Sequence, residues 1–188
     1  GYNTTWTSAA EVYNPSTNTW VTLPAAYAAA GHQSVSLNNG RALIAGGWNG
    51  SFCLASSRVF EPATNTWVAS PTMVGIRCLL KMVTLPDGRA LAIGGYDGNI
   101  PLNSVEVFNP ATNTWSAVAP MASARYNHSA VLLDDGRVLV SGGTGAPTGS
   151  EIYNPATNTW TTVGAMNTAR VEHTLTLLAD GRVLAVGG

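Results

Sequence analysis

The sequence predicts an all-β fold assembled from four copies of one unit, and three observations support this prediction. A decapeptide that begins Glu11-Val-Tyr-Asn-Pro and ends at Trp20 returns with few changes at residues 58–67, 106–115 and 151–160. A Gly-Gly pair accompanies it, at positions 46–47, 94–95, 142–143 and 187–188. Successive pairs are 48, 48 and 45 residues apart, and self-similarity with a period of about 20–50 residues is typical of repeat architectures.

The strands of one unit can be assigned in order along residues 128–163. Apolar stretches at 128–133 and 137–141 predict two strands, and Asp135-Gly136 between them predicts a hairpin with a type I′ turn. Two more strands are predicted at 151–153 and 159–163. Asn154-Pro155 separates them, because proline restricts both itself and the residue before it. Four short antiparallel strands per unit are typical of a propeller blade.

The unit resembles the kelch repeat. The resemblance rests on the Gly-Gly pair that ends the second strand, the aromatic residue in Val-Tyr-Asn-Pro or Val-Phe-Asn-Pro, and the Trp that follows it. The Arg-x-x-His at residues 125–128 and 170–173 is similar to the bacterial and oxidase-type versions of this repeat. The resemblance covers essentially the whole chain and implies a kelch-type β-propeller.

The chain is expected to form a single propeller over residues 1–188. Its blades are predicted at about 24–70, 71–118 and 119–163, with a fourth blade stitched from 164–188 and 1–23. Joining these half-repeats would close the ring and leave no open sheet edge. Two alternatives remain: the chain is a fragment of a larger ring, or two chains pair into an eight-bladed ring. The tryptophans that end the decapeptides are predicted to pack between blades: Trp20, Trp67, Trp115 and Trp160.

Composition excludes some classes of partner. The net charge is −1 and there is no run of like charges, which argues against nucleic acid or an anionic membrane as the main partner. No stretch approaches the roughly 18 apolar residues of a membrane-spanning helix. Lys81 is the only lysine, while Asn, Thr and Ser are abundant, and this surface favours a secreted protein over a cytosolic one. The first residue is Gly rather than Met, so the chain is expected to be a processed or excised piece.

One face of the blades is the candidate ligand face. The loops that precede the first strand and follow the second emerge on it, and they differ among the four units. The Asp-Gly turns and Asn-Pro loops emerge on the opposite face and are nearly the same in every unit. In kelch proteins the variable face is commonly where ligands and partners dock, so the resemblance implies a site there. The predicted ligand-binding residues are Arg77, Arg125, Arg170, Trp48, Tyr96 and Tyr126, and Tyr2 and Trp6 belong to the same face.

The three arginines have two interpretations. They could hold an acidic peptide or a carboxylate ligand. Alternatively, each could pair with a glutamate of its own blade. The remaining unit favours this second interpretation, because Ala29 stands at the arginine position and Arg58 at the glutamate position. The predicted ion pairs are Arg77 with Glu106, Arg125 with Glu151, and Arg170 with Glu11.

Two further sets of residues are interpreted as structural. One repeat position holds a histidine in three units and Leu80 in the fourth, which predicts a packing position rather than a metal site. These histidines are His32, His128 and His173. Cys53 and Cys78 lie on the same face. A disulfide between them is open, but two separate thiols are favoured, since spacing alone does not define geometry.

The sequence predicts a binding protein rather than an enzyme. It contains no visible nucleophile–base pair, metal set or cofactor motif, and it lacks the Tyr-His dipeptide of the kelch-type copper oxidases. The expected function is a non-catalytic scaffold, a monomer or homodimer without cofactor, that binds a protein or peptide. Two alternatives remain. One is a glycan-binding module whose exposed Trp and Tyr stack on sugars. The other is a fragment or engineered piece of a larger propeller protein, such as a kelch-type oxidase.

Overall fold

A computed structural model describes residues 7–188, and Tyr2 and Trp6 therefore lie outside the described residues. Within this range the fold is all-β, with sixteen short strands and no helix that could span a membrane. The chain begins with a hairpin of β1 (Ala10–Asn14) and β2 (Thr19–Leu23) and ends with a hairpin of β15 (Thr174–Leu177) and β16 (Val183–Val186).

Three four-stranded antiparallel sheets lie between these hairpins. The first contains β3 (Gln33–Ser36), β4 (Ala42–Ala45), β5 (Ser57–Glu61) and β6 (Thr66–Ala69). The second contains β7 (Lys81–Thr84), β8 (Ala90–Ile93), β9 (Val105–Asn109) and β10 (Thr114–Val118). The third contains β11 (Ser129–Leu132), β12 (Val138–Ser141), β13 (Ser150–Asn154) and β14 (Thr159–Val163). In each sheet the strands lie side by side in chain order, so the predicted all-β blade architecture is confirmed.

Consecutive blades contact each other through their first strands. The first strand of each unit contacts the first strand of the next, from β3 to β7, from β7 to β11 and from β11 to β15. The core lies between consecutive sheets. Between the first and second sheets, Leu43 and Val59 pack with Ala92, Phe108 and Trp115. The repeated tryptophan contacts the preceding blade, since Trp115 Nε1 donates to Ser57 Oγ at 3.1 Å and Trp160 Nε1 donates to the Ala119 carbonyl at 2.8 Å.

The Gly-Gly pair connects each blade to the next one. Gly95 N donates to the carbonyl oxygen of Arg125 at 2.9 Å, and Gly47 and Gly143 make the equivalent bonds to Arg77 and Arg170. Gly94 has a φ of +54°, and a Cβ atom there would lie 2.6 Å from the Arg125 carbonyl oxygen. A side chain would therefore collide with the neighbouring backbone, which explains why glycine recurs at this position.

The Asp-Gly hairpins differ from the predicted type I′ turn. Leu85 N donates to the Arg89 carbonyl at 2.8 Å, so the loop has three residues, and Gly88 N donates back to the Leu85 carbonyl at 2.9 Å. Gly88 has a φ of +86°, but Asp87 does not share this left-handed conformation. A three-residue loop with glycine in the left-handed region is a common hairpin class. Asp87 is free to bind Arg89 instead, and Oδ2 accepts from Arg89 Nε at 2.7 Å.

The predicted fourth blade is not assembled within the chain. β1–β2 and β15–β16 are two separate two-stranded sheets, and β16 does not pair with β1 in the way that β12 pairs with β13. Trp20 is consequently 65% exposed, whereas the equivalent Trp115 is 8% exposed, so the prediction that Trp20 packs between blades is wrong. The physical reason is that repeat complementarity specifies which strands can pair, whereas pairing also requires that the three intervening sheets bring the two hairpins together.

Candidate functional site

The variable-loop face is built in the same way in successive blades. The segment before the first strand forms an antiparallel bridge with the loop after the second strand, at Ala30 with Trp48 and at Cys78 with Tyr96. A bridge between Tyr126 and Thr144 follows in the next blade. The rings of Tyr96 and Tyr126 come together with centroids 5.1 Å apart. The structure therefore brings two of the three predicted aromatic residues into direct contact.

Arg77 and Arg125 lie beneath this face rather than on it. Both side chains are fully buried, and Arg77 pairs with Glu106 while Arg125 Nη2 lies 2.8 Å from Glu151 Oε1. Arg125 Nη1 also donates to the carbonyl oxygens of Gly142 and Gly149, at 2.9 and 2.8 Å. These contacts join the ends of the second and third strands of the blade. The predicted intrablade ion pairs of Arg77 and Arg125 are thus present.

The glutamates of these pairs are bound from the other side by backbone. Val74 N and Gly75 N donate to the two carboxylate oxygens of Glu106, at 2.6 and 2.9 Å. Ala122 N and Ser123 N make the same bonds to Glu151, at 2.7 and 3.1 Å. Each carboxylate therefore has an arginine and two backbone N–H groups as partners, as a buried charge requires. Because neither arginine reaches the surface, we remove Arg77 and Arg125 from the set of candidate ligand contacts.

Arg170 occupies the same repeat position in a different environment. Its Nη1 donates to the Gly187 carbonyl oxygen, as Arg125 does to that of Gly142, but its side chain is only half-buried. Glu11, its predicted partner, is exposed on β1, and among the described residues the two groups form no ion pair. The predicted pair of Arg170 with Glu11 is therefore absent, because the blade that would contain it is not assembled.

The first full blade replaces the buried ion pair with a neutral donor. Ala29 stands at the arginine position, and the Tyr27 hydroxyl donates to the Gly46 carbonyl at 3.0 Å, the equivalent of the Gly94 carbonyl bound by Arg77. Burial raises the pKa of Tyr27 above its usual range, and nearby Arg58 opposes part of this rise. Tyr27 thus remains a neutral donor. Sequence reasoning did not identify this role, although an aromatic residue two positions before Ala29 was a usable signal.

A disulfide ties two blades together on the variable-loop face. Cys53, in the loop after β4, is bonded to Cys78, in the segment before β7, and their Cα atoms are 5.3 Å apart. This Cα separation lies within the range typical of disulfides. The sequence left the bond open and favoured two thiols, and the structure corrects that preference. The bond holds the Trp48 loop against the segment that leads into the second blade.

Two neighbouring loops on this face have the same internal architecture. Asn49 Oδ1 accepts from Ser51 N and Phe52 N, both at 3.0 Å. Asp97 Oδ1 accepts from Asn99 N at 2.7 Å and from Ile100 N at 2.8 Å. These backbone bonds lower the pKa of Asp97. The polar side chains thus stabilise the loops, and each loop presents an exposed apolar residue, Phe52 or Ile100, at the equivalent position.

The exposed apolar residues of this region, together with the half-buried Tyr96, define what we call the apolar rim. It includes the two loop residues, the exposed Val74 and Ile76 of the segment that ends in Cys78, and two residues predicted from the sequence. Sequence reasoning missed the aliphatic members because it considered only the aromatic and arginine side chains of the variable loops. The apolar rim consists of Trp48, Phe52, Val74, Ile76, Tyr96 and Ile100.

The repeated histidine fills a packing position at His128 and His173, as predicted, but not at His32. His128 is fully buried, and its ring approaches Gly94 of the preceding blade, as Leu80 approaches Gly46. Burial, with help from nearby Arg125 and Lys81, lowers the pKa of His128 to about 3. His32 is exposed at the edge of the first blade. In the described part of the chain, no three His, Cys, Asp or Glu side chains are grouped so that they could hold a metal ion.

The opposite face carries repeated polar turns. Arg137 Nε donates to Asp135 Oδ2 at 2.8 Å, and Asp180 with Arg182 repeats this contact. Hydrogen bonding to Arg137 lowers the pKa of Asp135. Asn113 and Asn158 adopt a φ of +53° in the equivalent Thr-Asn-Thr turns. Asp87, Asp135 and Asp180 are thus each bound to the arginine two residues later.

Comparisons with known proteins agree with this architecture. The family model for the Kelch motif matches residues 83–122, which include most of the second blade. No curated protein is a significant match to the sequence. The solved structure of YjhT is similar to 96% of this chain and 68% of that chain, with a TM-score of 0.76 and 19% sequence identity. At this identity the likeness shows the fold alone, and together with the motif match it confirms the kelch resemblance.

Proposed function

We propose that this chain, which resembles the kelch repeat and matches the Kelch motif over residues 83–122, is a non-catalytic scaffold that binds a protein or peptide through the apolar rim. The observation that carries the proposal is the exposure of Trp48, Phe52, Val74, Ile76 and Ile100 on one face. Groups of exposed apolar side chains rimmed by polar residues mark interaction surfaces in soluble proteins. The opposite face carries ion-paired polar turns instead.

The internal contacts of the rim loops reduce the conformational entropy that the rim would lose when it binds a partner. The Cys53–Cys78 disulfide and the side-chain bonds of Asn49 and Asp97 hold the rim loops in place before a partner arrives. A surface that is already ordered loses less conformational entropy on binding. The rim is therefore suited to a partner that presents a matching apolar surface.

The charge distribution favours an apolar partner over an acidic one. Arg77 and Arg125 are neutralised inside the blades, so the rim does not present the basic cluster expected from the sequence. Arg170 occupies the equivalent repeat position, but it lies in the segment that leads into the C-terminal hairpin β15–β16. We therefore replace the acidic peptide of the sequence interpretation with a partner that contributes aromatic or aliphatic side chains.

A glycan remains the second candidate because of one observation, the contact between the half-buried rings of Tyr96 and Tyr126. Tyrosine rings can stack on sugars, but a sugar also needs hydrogen-bonding partners for its hydroxyl groups. Asn49 Oδ1 and Asp97 Oδ1 already accept hydrogen bonds from backbone N–H groups of their own loops. This favours the protein or peptide partner.

Panning a phage-displayed random peptide library against the immobilised chain tests the proposal. We expect the enriched peptides to be rich in aromatic and aliphatic residues and to lose at least tenfold in affinity for a Trp48→Ser, Ile100→Ser variant. The matched control is Asp135→Ser on the opposite face, which should bind the same peptides unchanged. Enrichment of no peptide, or equal losses for both variants, would contradict the proposal. Selective retention on a glycan array, lost in Tyr96→Ala, would favour the second candidate.

A further inference from the structure

The sequence contains two Asn-Gly dipeptides, and the fold places them in different loops. Asn39-Gly40 lies in the turn of the β3–β4 hairpin. Asn49-Gly50 lies in the rim loop after β4, between Trp48 and Phe52. An asparagine side chain that precedes glycine is open to attack by the next backbone nitrogen, because glycine has no Cβ atom that would shield this nitrogen. The two dipeptides therefore offer the same local chemistry in two folded environments.

The attacking backbone nitrogen is free at one dipeptide and hydrogen-bonded at the other. Gly50 is exposed, has a φ of +98°, and its N–H makes no hydrogen bond with another described residue. Gly40 N donates to the Leu37 carbonyl oxygen at 3.0 Å. Attack by Gly40 N therefore requires that this hydrogen bond of the hairpin breaks first. The folded structure favours reaction at Asn49 over reaction at Asn39.

The side-chain carbonyl of Asn49 is also the better polarised of the two. Asn49 Oδ1 accepts from Ser51 N and Phe52 N, both at 3.0 Å. Asn39 Oδ1 accepts from Arg41 N alone, at 3.2 Å. When a nitrogen attacks the side-chain carbon, negative charge develops on this oxygen, and N–H groups that already point at it stabilise the charge. The two backbone donors thus lower the barrier to attack at Asn49.

The next blade shows that the same loop accommodates an acidic residue. Asp97 occupies the repeat position of Asn49, and Gly98 after it has a φ of +104°, close to that of Gly50. Asp97 Oδ1 accepts from the backbone N–H groups two and three residues later, as Asn49 Oδ1 does. A carboxylate accepts such bonds more strongly than a neutral amide does. Aspartate at position 49 would therefore keep the conformation of the loop.

We propose that Asn49 is a site of spontaneous deamidation, at which the folded rim loop promotes conversion of asparagine to an acidic residue. Gly50 N loses its proton to hydroxide and forms a bond to Asn49 Cγ. The Cγ–Nδ2 bond then breaks, and Nδ2 takes up a proton and leaves as ammonia. Water opens the resulting cyclic imide to aspartate or isoaspartate. Nothing is oxidised or reduced, and water with its hydroxide ion is the only co-reactant.

The modification changes the charge of the apolar rim beside Trp48 and Phe52. It adds a carboxylate to a surface whose exposed side chains are apolar, and covering a charge with an apolar partner is unfavourable. Deamidation at Asn49 would therefore weaken the binding of such a partner as the protein ages. This consequence, unlike the reaction itself, rests on the proposed function of the rim.

Peptide mapping by mass spectrometry tests the reaction. The folded chain is incubated at neutral and at mildly alkaline pH, and loss of the amide is followed at Asn49 and at Asn39. We expect Asn49 to convert at least about tenfold faster than Asn39, and faster at the higher pH because hydroxide takes the proton. In urea the two rates should become similar, since both dipeptides then lack their folded contacts. Equal rates in the folded chain, or the same ratio of rates in urea, would overturn the proposal.

A pair of variants separates the effect on binding from the reaction. Asn49→Asp imitates the product and should bind the peptides selected by panning at least about threefold more weakly than the unmodified chain. Asn39→Asp is the matched control in the hairpin turn and should bind them unchanged. Equal affinities of the two variants would overturn the effect on binding. If panning enriches no peptide, the proposed function fails, whereas the conversion rates of Asn49 and Asn39 still decide whether the rim loop promotes deamidation.

Discussion

Two interfaces between neighbouring sheets of this molecule are built from equivalent strands but differ in how completely they are packed. Between the first and second full sheets, Leu43, Val59 and Phe108 are buried in a continuous core. Between the β1–β2 hairpin and the first full sheet, the equivalent region is a cavity. The repeated residues are nearly the same, so the difference arises from the number of strands on each side. The interface between two complete four-stranded sheets is filled, whereas the interface with the two-stranded β1–β2 hairpin on one side contains a cavity.

The repeated tryptophans give the largest expected contrast between the two regions. Trp115→Ala should lower the free energy of unfolding by about 3–5 kcal/mol, because removing a large buried side chain leaves a cavity and breaks the hydrogen bond to Ser57. Trp20→Ala, the matched variant, should cost less than about 1 kcal/mol at concentrations where the chain is monomeric, because Trp20 is exposed. Urea denaturation measures both. Equal losses would show that burial in the interface does not govern the contribution of this residue.

Substituting the repeated arginines should change the free energy of unfolding by similar or smaller amounts, again with a large loss at one repeat position and a small loss at the other. Arg125→Ala leaves Glu151 buried without its counter-charge and should cost about 3–5 kcal/mol. Arg170→Ala leaves no buried carboxylate without a counter-charge. Its cost in the free energy of unfolding should therefore stay below about 1 kcal/mol in the monomeric chain. Thermal and urea unfolding of the two variants check this. A loss for Arg170→Ala as large as that for Arg125→Ala would mean that Arg170 already has an equivalent partner in the isolated chain.

Burial of His128 should have the smallest effect on the free energy of unfolding at neutral pH and a larger effect at acidic pH. The pKa of His128 is about 3 in the folded protein and near 6.5 when exposed, so between these values the unfolded state binds the additional proton. Stability is therefore lost as the pH falls below about 6.5, by up to about 1.4 kcal/mol for each pH unit. His128→Leu should reduce this slope, since Leu80 already occupies the equivalent position in another blade.

Unfolding free energies measured from pH 7 to pH 4 test the histidine prediction. The His128→Leu variant should remain folded at pH 7 and lose less stability than the wild type on acidification. His173 has a lowered pKa for the same main reason, burial, so some acid sensitivity should persist in the variant. Parallel losses in the two proteins would place the acid sensitivity elsewhere.

Local and repeated features were predictable from the sequence. The strands at 137–141 and 159–163 were predicted within one residue of Val138–Ser141 and Thr159–Val163. The pairing of Arg125 with Glu151 was also predictable, because arginine and glutamate are replaced together in the unit that carries Ala29 and Arg58. The Asp-Gly turn type was not, because Asp-Gly is compatible with several hairpin loops and the Asp87–Arg89 contact accompanies a three-residue loop here.

The candidate site was only partly predictable, because its members lie in different loops. Trp48 and Tyr96 were identified from their variable positions, whereas Val74, Ile76 and Ile100 were not, since isolated aliphatic residues in loops carry little signal. Arg77 and Arg125 were assigned to the ligand face because their positions emerge there. Their burial depends on contacts with Gly94 and Gly142, which only the folded blade brings into reach.

By itself, the sequence determined the repeat, the four strands of each unit, the glycine pairs and the partners of the buried charges. These features depend on contacts within a unit or between consecutive units, and they recur with the period of the chain. The tertiary structure alone decided that β16 and β1 remain unpaired, that Tyr27 takes the place of an arginine, and that the apolar rim is held together by Cys53 and Cys78. These outcomes depend on how the blades pack and on which loops become neighbours, and no single repeat contains that information.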